Sequence, residues 1–267
     1  MRANRLPAIR GLRWVLEAFL IFRVAPVRQL LFNLAFLLAS TVVVALPLIG
    51  FAAIWLLFPA LMVGPHAVAR AAAGGATPGW DLLVSGFRAQ LPAQLRMGGF
   101  FLGAMVVVLA GTALADDGRF AQAVIGRSRL ELGDLQSPEL QRAMLIGAGL
   151  QTLLLGLLWY APLLVAWQGL SAFKAAFFSA AAAFINWRAF LVYGVAVMLL
   201  FGFVLMLALG GAMLLGGGGA MQANSALFSV IWTLLPVWFA SSYLSYRDVF
   251  SEDNALETPA KSPTIPP

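Results

Sequence analysis

The chain has 267 residues, 61% of them hydrophobic and 10% charged, with a mean hydropathy of +0.89, which places it in the polytopic membrane class. It has no cysteine and one histidine, so disulfides, thiol catalysis, iron–sulfur clusters and a histidine-built metal site are excluded, and no cofactor is expected. The formal charge of +6 comes from basic residues at the edges of apolar segments, a topology signal rather than a nucleic-acid surface.

The N-terminus carries Arg2, Arg5, Arg10 and Arg13, but the apolar run from Trp14 to Phe22 is short and interrupted by Glu17. It does not read as a cleaved signal, and the first span serves as an uncleaved insertion signal. Within 10–23, Arg10, Arg13 and Glu17 share one stripe while Trp14, Val15, Phe19 and Phe22 face away, the pattern of a helix lying in the interface.

Four stretches hold no Asp, Glu, Lys or Arg: 29–69, 97–115, 143–173 and 189–246. A crossing needs about 20 apolar residues, so 29–69 must turn back, and Pro47 and Gly50 supply the break. The spans predicted are 29–47, 51–70, 97–115, 143–167, 189–215 and 225–245, the last two divided by Gly216–Gly219. Segments 80–91 and 171–187 give a second and a third interfacial helix. The fold class is therefore an all-α membrane protein whose six-span domain covers 1–250, followed by a polar, proline-rich, disordered tail over 251–267.

With the termini on one side, that side carries thirteen basic residues and the other only Arg119, Arg127, Arg129 and Arg142. The positive-inside rule puts both termini and the interfacial helices in the cytoplasm and 116–141 outside.

No acid falls in a span centre, which disfavours a proton- or sodium-coupled transporter with a buried carboxylate. Asn33, Ser40, Thr41, Gln151, Thr152, Ser229 and Thr233 read as helix–helix glue, and Gly99-x-x-x-Gly103 as a site of close helix approach. A general-base role for His66 needs a carboxylate, and Asp81 is the nearest acid in sequence. Asp116-Asp117 lack the further spaced carboxylates of a cation site and read as a solvated span end.

Each span running inward carries a Trp followed by a Pro: Trp55/Pro59, Trp159/Pro162 and Trp232/Pro236. Bends are expected at Pro59, Pro162 and Pro236. Pro59 and Pro236 both precede an arginine by 11 residues, Arg70 and Arg247, so 10–70 and 171–247 form a candidate parallel internal repeat.

Several motifs together resemble a known family: Pro7 to Trp14, Trp159-Tyr160-Ala161-Pro162, Gly169 to Ser179 around Lys174, Asn186-Trp187-Arg188, and Tyr246-Arg247-Asp248-Val249-Phe250. They resemble an uncharacterised family of six-span inner-membrane proteins of Gram-negative bacteria, over about 7–250 without the loop 116–141. That family is distantly similar to the membrane domains preceding some glycerophosphodiester phosphodiesterases. The resemblance implies the bacterial inner membrane as location and assigns no catalytic, metal or cofactor residue. Where it leads us to expect a second basic residue after Arg23, this chain has Val24.

The reading favoured by these residues is a non-enzymatic accessory or scaffold protein that interacts with membrane lipids, another membrane protein or a soluble cytoplasmic enzyme. Arg13, Arg23, Lys174 and Arg188 are the candidate lipid-headgroup residues. The alternative is a transporter or exporter of a lipid-like or hydrophobic molecule. An intramembrane enzyme built on His66, Asp81 or Asp116/Asp117 ranks last.

Overall fold

The computed structural model describes residues 3–46, 49–131, 133–214 and 220–250. Pro47, Gly216–Gly219 and the tail 251–267 lie outside them. Among the described residues the structure is helical, with no strand. In chain order the helices are α1 (Arg10–Phe22), α2 (Pro26–Val44), α3 (Gly50–Ala73), α4 (Ser85–Arg88), α5 (Leu91–Asp116), α6 (Arg119–Val124), α7 (Pro138–Leu157), α8 (Ala161–Gln168), α9 (Ala172–Ile185), α10 (Trp187–Leu214) and α11 (Ala220–Phe250).

Among the described residues six helical segments are long and apolar enough to cross a membrane: α2, α3, α5, α7 with α8, α10 and α11. Several start earlier than charge-free windows predict. Proline stands in the first two positions of α2, α5 and α7, where its missing N–H costs nothing and its fixed φ suits a helix start. Arg28, Arg96 and Arg142 then fall inside the first two turns, and long side chains there reach out of the apolar layer. A charge-free criterion cut those turns off.

The fourth span is broken. α7 ends at Leu157 and α8 begins at Ala161, with Pro162 in its first turn. Irregular backbone at such a place must find partners inside the protein. The amide of Tyr160 donates to Ser179 Oγ of α9 at 2.9 Å, and the carbonyl of Pro162 accepts from Gln94 Nε2 of α5 at 3.0 Å. Tyr160, Ala161, Leu163, Leu164 and Val165 are almost wholly buried, so this short helix is the centre of the bundle. Pro59 and Pro236 are also buried, but inside the unbroken α3 and α11.

The order of one short helix followed by two spans occurs three times: α1 with α2 and α3; α4 with α5 and α7–α8; α9 with α10 and α11. Each short helix packs on the spans of the unit before it. α4 lies on α3, α9 lies on α7, α8 and α5, and α1 closes the ring against α10 and α11. The candidate repeat thus extends to a third copy in helix order. At the closure α1 comes so near α10 that a Cβ on Gly11 would meet the backbone of Ala189 and Tyr193; only glycine permits that approach.

The interfacial helices differ in detail from the sequence reading. In α1, Trp14, Val15, Ala18 and Ile21 are buried against the protein, while Leu12, Leu16, Phe19 and Leu20 are exposed. Its apolar residues serve two surfaces, so Phe19 does not share the face of Trp14. The segment expected as a helix over 80–91 is a 3-10 turn at Trp80–Val84 leading into α4. The chain then breaks at Gln90, whose φ of 57° is left-handed, and Leu91 belongs to the next span.

Candidate functional site

The residues before α1 run between two helix ends and are held there by side-chain amides and carboxylates. Asn186, at the corner between α9 and α10, accepts from the Leu6 amide at 2.8 Å and donates to Asn4 O at 2.9 Å and Ala182 O at 3.1 Å. The Asn4 amide in turn donates to Val249 O of α11 at 2.8 Å. Beside it, the nearly buried Asp248 accepts from Arg10 Nε at 2.6 Å and Trp14 Nε1 at 2.9 Å, both on the same carboxylate oxygen. Arg10 also forks onto Glu17 at 2.6 and 3.1 Å. Burial alone would lower the pKa of Arg10, but the hydrogen bonds and charges of Asp248 and Glu17 outweigh it and raise the pKa above its ordinary value. This clasp is a satisfied ion cluster that joins the first unit to the third.

Next to the clasp is a recess of about 190 Å³ where the ends of α3, α8 and α11 converge, lined by Arg70, Trp167, Gln168, Tyr246 and Arg247 among others. The Arg70 guanidinium lies over the Trp167 ring, 5.1 Å from its centroid, a cation–π contact. Gln168 Nε2 donates to Tyr246 Oη at 3.2 Å. Arg247 meets the second oxygen of Asp248 at 3.3 Å.

At the opposite end, α3, α5, α6 and α7 with the end of α2 line a half-open cavity of about 620 Å³ with mostly apolar walls, among them Phe51, Trp55, Met105, Phe120 and Met144. Gln151 and the indole of Trp55 are the side chains capable of hydrogen bonding among the lining residues. That volume falls within the range of small-molecule pockets, roughly 300–1,000 Å³.

His66 and Ser242 form a buried pair between α3 and α11, Nε2 to Oγ at 2.9 Å, with Nδ1 2.7 Å from Met62 O. A carbonyl only accepts, so Nδ1 carries the hydrogen and Ser242 donates to Nε2. Neither residue lines the recess or the cavity.

Against known proteins, no family model and no solved structure matches the chain. A curated relative does: a probable inner membrane protein of Burkholderia thailandensis, 33% identical over 201 residues, which cover 73% of this chain and 74% of that protein. The chain belongs to this family of inner-membrane proteins. It is a multi-pass protein of the inner membrane.

The expected headgroup residues of this inner-membrane protein are exposed. Arg13 and Arg23 stand on and just after α1, Lys174 on α9 and Arg188 at the start of α10, where it leans on Trp187 with 5.4 Å to the ring centroid. None of the four forms an ion pair among the described residues. The structure does not gather them into one pocket; the pocket at that end of the bundle is instead built on Arg70 and Arg247, two members of the same basic set.

Other sequence expectations are corrected. His66 pairs with Ser242 and not with Asp81, because the chain turn after α3 carries Asp81 to the surface. Asp116 is buried rather than solvated: its carboxylate accepts from the amides of Gly118 at 3.1 Å and Phe120 at 2.7 Å and so caps α6. Asp117 is exposed, and no cluster of three or more His, Asp or Glu forms among the described residues. Ser40, Thr41 and Ser229 bond to carbonyls four residues back in their own helices instead of joining neighbours. Gly99 and Gly103 have open space where a Cβ would stand, whereas Gly98 packs on the α3 backbone at Leu56.

Asp248 and Asn186 carry the clasp, yet sequence reasoning gave neither a role. Both lie in the motifs that resemble the family, beside Arg247 and Trp187. That shared location was the available signal.

Proposed function

We propose that this chain is a non-enzymatic accessory or scaffold protein of the inner membrane, with both termini in the cytoplasm, that holds anionic lipid or another membrane protein at its cytoplasmic end. The observation that carries the reading is the set of four exposed cations on the short helices and their flanks that have no carboxylate partner among the described residues: Arg13, Arg23, Lys174 and Arg188. Each such charge near an anionic bilayer surface contributes about 1 kcal/mol. The burial of His66 and Ser242 away from both cavities supports a packing role for that pair.

The test is the lipid content of protein purified in native membrane discs, comparing the wild type with a variant in which all four cations are Gln. Loss of the enrichment in anionic lipid supports the reading. An unchanged lipid profile reduces the four residues to topology signals.

One observation favours a second reading, transport or export of a lipid-like molecule. The cavity between α3, α5, α6 and α7 is apolar and large enough for part of such a molecule, with Gln151 in its wall. Filling it with Ala148→Phe should reduce any hydrophobic compound that co-purifies with the protein; no such compound in the wild type would sink this alternative.

A further inference from the structure

The recess between α3, α8 and α11 has a chemistry of its own, independent of the four exposed cations. Arg70 and Arg247 both reach it, each 11 residues after a buried proline in its span, so the pattern that repeats in sequence delivers two guanidinium groups to one place. Arg70 has no carboxylate partner among the described residues. Its guanidinium sits over the Trp167 ring, 5.1 Å from the centroid, and a guanidinium has five N–H donors with which to take an oxyanion in two parallel bonds. Arg247 shares Asp248 at 3.3 Å, while the other oxygen of that carboxylate is taken at 2.6 Å by Arg10. Arg247 therefore keeps donor capacity as well.

A third donor comes from Tyr246. Its oxygen accepts from Gln168, which leaves its own proton to donate. The lining residues include no Asp or Glu. α3, α8 and α11 all bring their C-terminal ends here, and the partial negative charge of each is met by two guanidinium groups, Arg70 without a carboxylate among the described residues and Arg247 partly offset by Asp248. The recess is thus a donor-lined site with two guanidinium groups and aromatic walls. At about 190 Å³ it is smaller than a pocket for a drug-sized ligand, roughly 300 Å³ and above. A compact oxyanion fits that size, and whatever the oxyanion is attached to must remain outside.

We propose that this recess binds a phosphate group, held by Arg70 and Arg247 with the Tyr246 hydroxyl. The group comes either from the headgroup of an anionic lipid or from free phosphate, and the two sources share the same recognition chemistry.

The experiment uses the full-length protein in discs of phosphatidylcholine, with or without phosphatidic acid. Native mass spectrometry reads the lipid retained, and calorimetry in phosphatidylcholine discs reads inorganic phosphate. Variants are Arg70→Gln, Arg247→Gln, the pair together, and Arg70→Lys, which keeps charge but loses the planar fork. Exposed Arg127→Gln, outside both the recess and the four-cation set, is the control. We expect at least a tenfold loss of retained phosphatidic acid or of phosphate affinity in the double variant, a smaller loss in Arg70→Lys and none in Arg127→Gln. Loss in the lipid arm without phosphate binding assigns a headgroup, and the reverse assigns free phosphate. Wild-type protein that retains no phosphatidic acid above phosphatidylcholine and takes up no phosphate overturns the proposal, whatever the variants do. So does binding that survives Arg70→Gln and Arg247→Gln unchanged. Because the exposed set is untouched in these variants, phosphatidic acid that stays bound through Arg70→Gln and Arg247→Gln overturns this proposal and leaves the scaffold reading standing.

Discussion

The indole N–H of Trp14 donates to the carboxylate of Asp248 at 2.9 Å, joining residues 234 positions apart in sequence. Trp14 is wholly buried, with its ring edge-on to Tyr193 at 5.9 Å and Phe190 at 6.3 Å. The same carboxylate oxygen takes the Arg10 guanidinium at 2.6 Å, so one acid near the end of α11 fixes both the register and the tilt of α1.

Removing that acid strands a buried indole N–H and leaves the Arg10 guanidinium with Glu17 alone. Asp248→Ala should cost about 3 kcal/mol, as breaking a buried pair from one side does. Glu17→Gln removes a partner whose side chain is 34% exposed and should cost under about 1 kcal/mol. Thermal unfolding of the purified protein in detergent compares the two. Equal shifts in Tm would mean that the clasp does not hold α1.

The glycines of α5 separate packing from composition. A Cβ on Gly98 would fall on the backbone of Leu56 in α3, whereas Gly99 and Gly103 face open space. Gly98→Ala should destabilise by about 1–3 kcal/mol through overpacking. Gly99→Ala and Gly103→Ala should be neutral or stabilising by up to about 1 kcal/mol, the difference in helix propensity. The reverse order in unfolding experiments would refute the α3–α5 contact.

Ser242→Ala leaves a buried imidazole nitrogen of His66 without its donor and should cost about 1–3 kcal/mol. In a double-mutant cycle His66→Ala and Ser242→Ala should couple strongly. His66→Ala and Asp81→Ala should add within about 0.5 kcal/mol, as sites without a shared partner do. Coupling to Asp81 instead would favour the general-base pairing that ranks last on sequence grounds.

Orientation is open to a direct test. A reporter active only outside the inner membrane should give signal when fused at residue 130 and none when fused after Arg247, because basic residues concentrate at the end that carries the termini. The opposite pair of signals reverses the topology.

Four charge-free windows, two of them divided at Pro47-Gly50 and Gly216–Gly219, determined from the sequence that this is a six-span helical protein. Excluding ionised groups from hydrocarbon is so costly that long charge-free windows find the spans without help from packing. Local rules also located the break before Pro162. What one dimension does not contain is which helix lies beside which. Asp248 had no visible role until α1 folded back from 238 residues away to place Arg10 on it. His66 found Ser242 across 176 residues and not Asp81 nearby, because adjacent helices are joined by side-chain fit and not by sequence distance. Arg70 and Arg247 bore matching spacings in the sequence, but only the convergence of α3, α8 and α11 put both at one recess. In lipid, where apolar surface no longer drives helices together, close packing and buried polar bonds decide the arrangement. Those are properties of surfaces in contact, which the order of residues does not display.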